Sequence, residues 1–413
     1  MSALAVQAGA DPRRSSAWIA CPRCGQVQAL RQACTQVCET CGSELERRTG
    51  RSLDAALALS AAAFLFLLPA NLEPFLTTSA LGAVRTSRLA SGPAELWREG
   101  WPVLGLLVGL TLIVAPILRL GLLTAVLAAV RLRLRGRWIG PVFRWSNSLQ
   151  PWAMADVALV GLWIAYTRLS ATVPTQLGLG GVCLVAAGVL TLFVRATLNP
   201  SDVWRRIRRQ APVDPARAIL ACDACGYLAP QRSASRPCPR CGQRLHARKP
   251  GAARRAAAFT LAGLLLYAPA NLFPMATIPI NLQPSTYTVL AGVRNLFAAG
   301  LYGLGLLVLT ASFAVPLLKL GALGWFLAAL ARGGGAAPIL KTRLFGVVEE
   351  IGRWSMVDPL VIALFVPVMQ FNAQLYGRAG PAASAFSAVV VMTMVATRTF
   401  DPRHLWDTAR RLR

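Results

Sequence analysis

Eight cysteines stand in four Cys-x-x-Cys pairs, and their spacing is the clearest sign of chemistry in the sequence. The pairs form two sets, which are Cys21, Cys24, Cys38 and Cys41, and then Cys222, Cys225, Cys238 and Cys241. Two residues between thiols let the chain wrap around one metal ion, and the glycine after each second cysteine permits a left-handed turn. Each set therefore predicts a tetrahedral four-thiolate site in a small zinc ribbon.

The ligand type indicates which metal these sites bind. Four thiolates suit Zn²⁺, with iron in a rubredoxin-like site as the runner-up. Disulfides are disfavoured in the reducing cytosol, and about twenty residues are too few for the βαβ context of a thioredoxin-type redox pair. Sulfur fills all four positions, so we expect two structural Zn²⁺ ions per chain, which modules this small need in order to fold.

A second group of polar residues lies within long apolar stretches. The group comprises Ser312, Lys319, Ser355, Asp358 and Thr393 in the second half, with Arg119 and Asp156 in the first. A charge in hydrocarbon costs about 3 kcal/mol or more, so these side chains are expected to pair, face a bundle interior or line a path. Three interpretations remain: ion pairs that lock helices together, a polar relay for protons or an amphipathic substrate, and snorkelling to the interface.

The two halves of the chain differ at these polar positions. The first half has Leu112 and Ala153 where the second half has Ser312 and Ser355. We therefore expect any transport path to lie in the C-terminal half.

Composition and hydropathy indicate the elements that hold these residues. The chain of 413 residues is 55% hydrophobic and 15% charged, with a mean hydropathy of +0.50, which excludes an ordinary soluble enzyme. A membrane helix needs about 20 mostly apolar residues. Eight blocks meet this length, at about 54–75, 101–130, 152–173, 177–198, 256–275, 299–330, 356–376 and 382–400. The sequence predicts an all-α polytopic membrane protein with two tandem four-helix transmembrane bundles, each preceded by a zinc ribbon.

The placement of arginine predicts the topology of these helices. The net charge is +26, and if the loops alternate sides, 34 basic residues lie on the side of both termini and six lie on the other. By the positive-inside rule, both termini and both ribbons face the cytoplasm. The basic excess therefore reports orientation and headgroup contact, and we expect membrane lipids rather than nucleic acid as partners.

The chain is a tandem duplication with an offset near 200 residues. Three motifs recur, from 69–74 to 269–274, from 116–121 to 316–321, and from 152–156 to 354–358. Because each half carries an even number of helices, the two halves have the same orientation. We predict four units, with cytoplasmic ribbons at 1–52 and 201–255 and transmembrane domains at 53–200 and 256–413.

The combined motifs resemble those of the paraquat-inducible protein A family. Each cysteine module precedes Pro-Ala-Asn-Leu-x-Pro, then Pro-(Ile/Leu)-Leu-(Arg/Lys)-Leu-Gly, then Trp-(Ala/Ser)-Met-x-Asp, and together these cover nearly the whole chain. The resemblance implies a bacterial inner-membrane protein that works with a periplasmic MCE-domain partner, which forms a tunnel for lipids between the two membranes. It also implies that the eight cysteines bind metal and that the polar group of the second half lines the path.

Lipid transport is the function that these features favour, with lipid passed between the inner membrane and the tunnel partner for envelope integrity. Two alternatives remain open: a redox membrane protein with rubredoxin-like iron, and a scaffold that anchors the tunnel protein. No enzyme activity is expected, because the sequence lacks a nucleotide-binding glycine loop, a nucleophile elbow and a His-Glu-x-x-His motif. Without a P-loop, ion coupling or passive exchange remains as the driving force.

Overall fold

The protein is mostly helical, with short strands in five small sheets. Its structure is a computed structural model. The structure describes residues 18–30, 35–47, 52–80, 83–170, 174–214, 218–280, 283–333, 337–352, 356–365 and 378–411.

The helices occur in the same order in both halves, as the duplication predicts. The first half contains α1 (Leu53–Leu72), α2 (Ser91–Arg98), α3 (Pro102–Gly109), α4 (Ala115–Arg131), α5 (Ile139–Leu149), α6 (Ala155–Ser170), α7 (Leu179–Thr197) and α8 (Pro200–Ile207). The second half contains α9 (Ala252–Leu272), α10 (Val289–Ala298), α11 (Tyr302–Val308), α12 (Val315–Ala331), α13 (Pro338–Ile351), α14 (Val357–Phe365), α15 (Pro381–Thr399) and α16 (Arg403–Arg411).

The strands also repeat between the halves. They are β1 (Trp18–Ala20), β2 (Val27–Ala29), β3 (Thr35–Val37), β4 (Glu44–Arg47), β5 (Leu76–Ala80), β6 (Ala83–Ser87), β7 (Thr175–Leu177), β8 (Ile219–Ala221), β9 (Leu228–Pro230), β10 (Ala276–Ile280), β11 (Gln283–Tyr287) and β12 (Arg378–Ala379). The pairs β1–β2, β3–β4 and β8–β9 lie in the ribbons, and two antiparallel sheets follow the orders β6-β5-β7 and β11-β10-β12.

Within the described residues, five helices are long and apolar enough to cross a membrane, which makes the chain a multi-pass membrane protein. They are α1, the continuous helix Pro102–Arg131, α7, Gly305–Ala331 and α15. The other three expected blocks form α6 with 16 residues, α9 with 21, and α14, of which nine residues are described. The full count of eight spans and the division into four units stay predictions.

The second membrane helix of each half contains a π-helical turn, at Leu110–Val114 and Leu309–Ala314. Pro116 and Pro316 follow at the start of the next α-helical segment. Proline lacks the N–H that a regular helix needs, so a wider turn before it relieves the mismatch and bends the helix. In both halves a π turn and a proline, two features that favour helix bending, therefore stand side by side.

Each π turn frees backbone carbonyls, and other elements bind them. The N–H of Met154, before α6, donates to the carbonyl of Thr111 at 3.2 Å. In the second half, the Tyr267 hydroxyl on α9 donates to the carbonyl of Phe313 at 3.2 Å. These bonds hold the bends in place, because an unpaired carbonyl in hydrocarbon costs several kcal/mol.

The expectation of an all-α fold is wrong at the outer ends of the helices, where each half builds a three-stranded sheet. The segment after α1 carries Thr77 and Thr78, whose β-branched side chains favour strands, and Leu76 pairs with Ser87 and with Leu177. The third strand, β7 in the first half and β12 in the second, has only three or two residues, which is too few to show an alternating pattern in the sequence. The sequence analysis considered long apolar helices and did not predict these sheets.

A close backbone approach fixes the third strand of each sheet against the end of the first helix. A Cβ on Gly178 would lie 2.3 Å from the carbonyl oxygen of Pro74, and one on Gly380 would lie 2.1 Å from that of Pro274. Both positions therefore require glycine. The same contact in both halves confirms that the duplication extends to the sheets.

The two halves share one apolar core. Gly161 on α6 packs against Leu360 and Leu364 on α14, and buried side chains of both halves form a continuous cluster. The indole Nε1 of Trp101 donates to the carbonyl of Ala379 at 3.2 Å. The halves are therefore packed as one body, with the ribbons, α5, α8, α13 and α16 at one end, which we call the ribbon end, and the two three-stranded sheets at the other, the hairpin end.

Orientation can be tested with reporter fusions. Reporters inserted after Arg135 and Gly333, at the ribbon end, should report the cytoplasm, because the basic residues concentrate there. Reporters near Ser91 and Gln283, at the hairpin end, should report the periplasm. Paired alkaline phosphatase and green fluorescent protein fusions measure both outcomes, and inverted signals at any two sites would contradict this topology.

Candidate metal centres and intramembrane polar site

The structure brings each set of four cysteines together around one point. Opposed sulfurs lie close, with Cys21–Cys41 at 3.6 Å, Cys24–Cys38 at 3.5 Å, Cys222–Cys241 at 3.5 Å and Cys225–Cys238 at 3.6 Å. All four sulfurs of each set lie within 4.8 Å of one another and are buried. A tetrahedral Zn²⁺ with bonds of about 2.3 Å separates its sulfur ligands by about 3.8 Å. The two sets therefore fit a metal ion of this kind.

The turns at these sites have the predicted left-handed glycines. Gly25 has a φ of 78° and its N–H donates to the carbonyl of Cys21 at 2.9 Å, and Gly226 has a φ of 67° with the same bond to Cys222. Gly42 and Gly242 repeat the geometry. A side chain at such a φ would be strained, so these glycines support the fit of the cysteines to a metal.

The thiols of the first set also share protons. Hydrogen bonds, first from Cys21 and then from Cys24, lower the pKa of Cys41 and bring the pKa of Cys38 to about 6, while the thiol neighbours raise that of Cys24. The lowered pKa values of Cys38 and Cys41 favour the thiolate, which is the form that binds metal.

The ribbons dock crosswise, which the sequence did not predict. The first ribbon (residues 18–47) lies against the second half, where Trp406 on α16 packs on its four cysteines. The second ribbon (residues 219–245) lies against the first half, where Trp204 on α8 packs among its cysteines. Each ribbon therefore covers the half that it does not precede in the chain.

The second ribbon is seated on α5. The carbonyl of Arg240 lies so close to Gly140 that a Cβ there would be 1.9 Å away. Arg144 Nη1 donates to Gln243 Oε1 at 3.2 Å, and the rings of Phe143 and Trp204 meet edge to face at 4.7 Å. A glycine and a polar bond thus lie at this interface, and the aromatic pair of α5 and α8 packs in the same apolar cluster as the ribbon's cysteines.

The first ribbon is seated on α13 in a related way. Trp406 Nε1 donates to Thr342 Oγ1 at 2.9 Å, and Arg23 Nη1 donates to the carbonyl of Thr342 at 3.4 Å. Gly346 makes room for the Arg23 side chain. Thr342 aligns with Gly140 when the repeat is matched at an offset of 202, so the same helix face receives a ribbon in both halves.

An ion pair ties each ribbon region to a second helix of the ribbon end. Glu46 of the first ribbon binds Arg205 on α8 at 2.5 Å, and its side chain is 2% exposed. In the other half the charges are reversed, since Arg248, just after the second ribbon, binds the half-buried Asp407 on α16 at 2.7 Å. Because Glu46 is buried, the loss of its partner would leave an uncompensated buried charge, so this pair favours the observed seat of the first ribbon.

A third charge cluster joins the second ribbon to the C-terminal helix. Arg403 binds Asp223 of the ribbon and Asp401, both at 2.7 Å. Burial raises the pKa of Asp401, but the hydrogen bonds and charge of Arg403 outweigh this and bring it down to about 2. Because the folded pKa lies below the ordinary value, this stabilisation is present at neutral pH and is lost as the pH falls towards 2.

The ribbons also contact each other. Ala20 and Val27 of the first ribbon form a small apolar cluster with Ile219 and Leu228 of the second. The two modules therefore form one layer that bridges both halves at the ribbon end.

Lys319 is the centre of the polar site in the second half. It is 2% exposed, and its Nζ donates to Thr393 Oγ1 at 3.1 Å and to the carbonyl of Gly352 at 3.4 Å. Thr393 Oγ1 in turn donates to the carbonyl of Val390 at 2.9 Å. Two of the sequence-predicted path residues, Lys319 and Thr393, are thus in direct contact.

The other predicted residues of this half are placed only in part. Ser312 lies in the π turn before α12 and is buried, and its Oγ has no hydrogen-bond partner within the described residues. Ser355 lies outside the described residues. Asp358 lies on α14, but its side chain is outside the described part. A pairing of Asp358 with Lys319 therefore stays a prediction.

The first half holds a cluster of three charges at the corresponding place. Asp156 is buried and binds Arg195 on α7, with Oδ2 2.6 Å from Nη1. Arg119 is 2% exposed and interacts electrostatically with both, and its Nη1 has no hydrogen-bond partner in the described part of the chain. The expected Arg119–Asp156 arrangement is therefore extended by a second arginine.

Sequence reasoning missed the role of Arg195, although its spacing held a signal. Arg195 follows Thr191 by four residues, which places both on one face of α7. At an offset of 202 its counterpart is Thr397, whose Oγ1 donates to the carbonyl of Thr393 at 3.1 Å. A charge in the first half is therefore replaced by a hydroxyl in the second.

Comparison with known proteins places the chain in a family. The family described as paraquat-inducible protein A matches residues 53–208 and 253–410. The chain belongs to this family. The two matched segments coincide with the two helical halves, so the family unit is the half and this chain carries it twice.

Named relatives extend over nearly the whole chain. The lipophilic envelope-spanning tunnel protein A of Escherichia coli (strain K12) is 30% identical over 398 residues, or 94% of this chain and 90% of that protein. The intermembrane transport protein PqiA of the same strain is 29% identical over 405 residues, or 94% and 95%. A probable intermembrane transport protein of Haemophilus influenzae is 26% identical over 403 residues, or 94% of each. No solved structure matches the chain.

The seat of the second ribbon can be tested at Gly140. Gly140→Ala should push the ribbon off α5, because the added Cβ meets a backbone carbonyl that cannot move aside, and overpacking of this kind costs about 1–3 kcal/mol. We expect a lower Tm and faster proteolysis within 232–244. The matched control is Gly324→Ala on α12, where no described atom lies within 4 Å. Equal stability of the two variants would contradict the described seat.

Proposed function

We propose that the protein is the inner-membrane component of a lipid transport system. In this role it passes lipids between the inner membrane and a periplasmic partner with an MCE-domain tunnel, which serves the integrity of the outer membrane. The names of the relatives support intermembrane transport as the process. The hairpin end is the surface that we assign to the partner, because the ribbon end is occupied by the ribbons.

The second half carries the path in this proposal, and the packing around α12 is the observation that supports it. In the first half, Phe64 on α1 covers Gly121 on α4, and a Cβ there would lie 3.2 Å from its ring. In the second half no described atom lies within 4 Å of that position on Gly321, and Leu264, the counterpart of Phe64, is 53% exposed. The first half is closed where the second leaves room between α9 and α12.

This room lies beside the buried polar group. Gly263 on α9 faces both Leu320 and Thr393, and the Thr393 hydroxyl accepts a hydrogen bond from Lys319. An amphipathic lipid entering between the helices would place its acyl chains against apolar walls and its phosphate near the ammonium of Lys319. The hydroxyl of Ser312, which has no hydrogen-bond partner among the described residues, offers a further donor to such a ligand, or to a proton passing along the same path.

Zinc is the metal that we propose for both ribbons. The sulfur spacing fits it, and no ligand position is left for water or substrate, so its contribution is folding energy rather than catalysis. Because each ribbon clamps the opposite half, metal binding also supports the packing of the helices. A rubredoxin-like redox centre uses the same ligand set and is tested by the same measurement.

Metal content provides the first test. Elemental analysis of the purified protein should give two Zn²⁺ per chain. Cys21→Ser and Cys222→Ser should each remove one ion and lower the amount of folded protein, because a ribbon that has lost its metal cannot hold the opposite half. Cys183→Ala is the control, since this buried thiol on α7 lies outside both sets. One zinc, or two irons with visible charge-transfer colour, would contradict the proposal.

The path provides the second test. Lys319→Ala should leave near-normal levels of protein in the membrane but abolish complementation of an envelope-defect phenotype, while Arg119→Ala should be milder. Lys319→Met keeps most of the side-chain volume and isolates the effect of charge. The amount of folded protein is measured together with activity, because removing a buried charged side chain also changes the free energy of unfolding, by up to several kcal/mol.

The pattern of losses separates the functions. If Lys319→Ala and Arg119→Ala destroy the protein equally, the buried charges are structural and the path lies elsewhere. If both variants fold and complement fully, the chain acts as a scaffold for the tunnel protein rather than as its lipid conduit.

A further inference from the structure

A large cleft lies at the ribbon end of the first half, and it is basic. Its volume is about 2330 Å³, and its walls come from the end of α4, the α4–α5 connection, the chain after α8 and the second ribbon. Nine arginines line the cleft, against two aspartates, Asp54 and Asp202. Such an excess of positive charge in a concave site attracts anions.

About half of these arginines are committed to the fold. Arg131 binds Asp54 at 2.6 Å, Arg206 binds Asp202 at 2.8 Å, and Arg205 binds Glu46 at 2.5 Å. Arg208 and Arg240 donate to backbone carbonyls of the ribbon and its linker. These five residues build the walls of the cleft.

The remaining four arginines are not paired with any carboxylate of the described residues. They are Arg133, Arg135 and Arg137 in the α4–α5 connection and Arg209 after α8. The first three alternate with apolar residues, and Leu132, Leu134 and Trp138 are 69%, 55% and 48% exposed. Alternating arginine and exposed apolar or indole side chains at the end of a membrane helix suit the interface between headgroups and acyl chains.

Comparison of the halves shows that the fold does not need these arginines. The corresponding stretch of the second half, from 332 to 337, reads Arg-Gly-Gly-Gly-Ala-Ala. Arg133 has a φ of 53° and Gly333, its counterpart, has a φ of 65°. Glycine adopts this left-handed conformation freely, whereas a residue with a Cβ is strained there. An arginine held at a position made for glycine points to a ligand rather than to the turn.

We propose that this cleft binds the headgroup of an anionic glycerophospholipid of the cytoplasmic leaflet. The phosphodiester accepts paired hydrogen bonds from the guanidinium groups of Arg133, Arg135 and Arg137, and the acyl chains lie along Leu132, Leu134 and Trp138. The site is separate from Lys319 and does not depend on lipid transport. The bound lipid anchors the first half, together with the second ribbon that is seated on it, to anionic regions of the membrane.

Native mass spectrometry of the full-length protein in detergent tests the proposal with defined lipids. The parent should retain phosphatidylglycerol in preference to phosphatidylethanolamine. The triple variant Arg133→Gln/Arg135→Gln/Arg137→Gln should bind phosphatidylglycerol roughly 100-fold more weakly, because each arginine near an anionic surface contributes about fivefold. Arg232→Gln/Arg236→Gln/Arg244→Gln removes the same charge from exposed ribbon positions outside the cleft and should bind like the parent.

Two further arms separate the lipid from other sources of phosphate and from misfolding. Inorganic phosphate at the same concentration should not displace phosphatidylglycerol; full displacement would mean a free-phosphate site and would overturn the lipid assignment. Metal content and Tm should match the parent in both triple variants. Equal lipid retention by the cleft variant and the parent, or equal loss in the ribbon control, would also overturn the proposal.

Discussion

The crossed docking of the two ribbons is the contact on which the rest of the ribbon end depends. Apart from its cysteines, Ala20 and Val27, the first ribbon buries little apolar surface of its own. A module of this size cannot hold its shape by burial alone, so in the proposed metal-bound form the ion would supply the folding energy. Trp406 and Thr342 pack against this ribbon, so metal binding would then be linked to the packing of the opposite half.

The same ribbon contacts explain why charge is reversed between the halves. Glu46 meets Arg205 on one side, and Arg248 meets Asp407 on the other. If both ribbons carried the same charge, each could pair with either helix, and the crossed and uncrossed arrangements would be close in energy. Because the charges are reversed, an uncrossed arrangement would place Glu46 near Asp407 and Arg248 near Arg205. This repulsion between like charges disfavours the uncrossed arrangement without adding any contact to the crossed one.

Sequence analysis identified the residues that recur with a period or a fixed spacing. It missed the residues that join one half of the chain to the other. The cysteine sets and the duplication follow from local patterns, and the structure contains them. The three-stranded sheets were missed because Thr175–Leu177 is too short to show alternation. The ribbon exchange was missed because a pseudo-symmetric repeat is satisfied equally by either docking partner. The reversed charges distinguish the crossed from the uncrossed arrangement. The pairing of Glu46 with Arg205, 159 positions away, becomes visible only in the folded structure.

At the positions where the two halves differ, the second half lacks side-chain packing and buried charge that the first half has, while its helices keep the same order. Arg195 becomes Thr397, Leu112 becomes Ser312, and the ring of Phe64 over Gly121 has no equivalent over Gly321. The halves are joined at the ribbon end by the ribbons and in the membrane by α6 and α14, so they cannot easily move apart as rigid bodies. In the proposed lipid path, an opening for the ligand would then arise within one half. The region around α12 has both the room beside Gly321 and a π turn, so under this proposal α12 would move and the first half would serve as its fixed support.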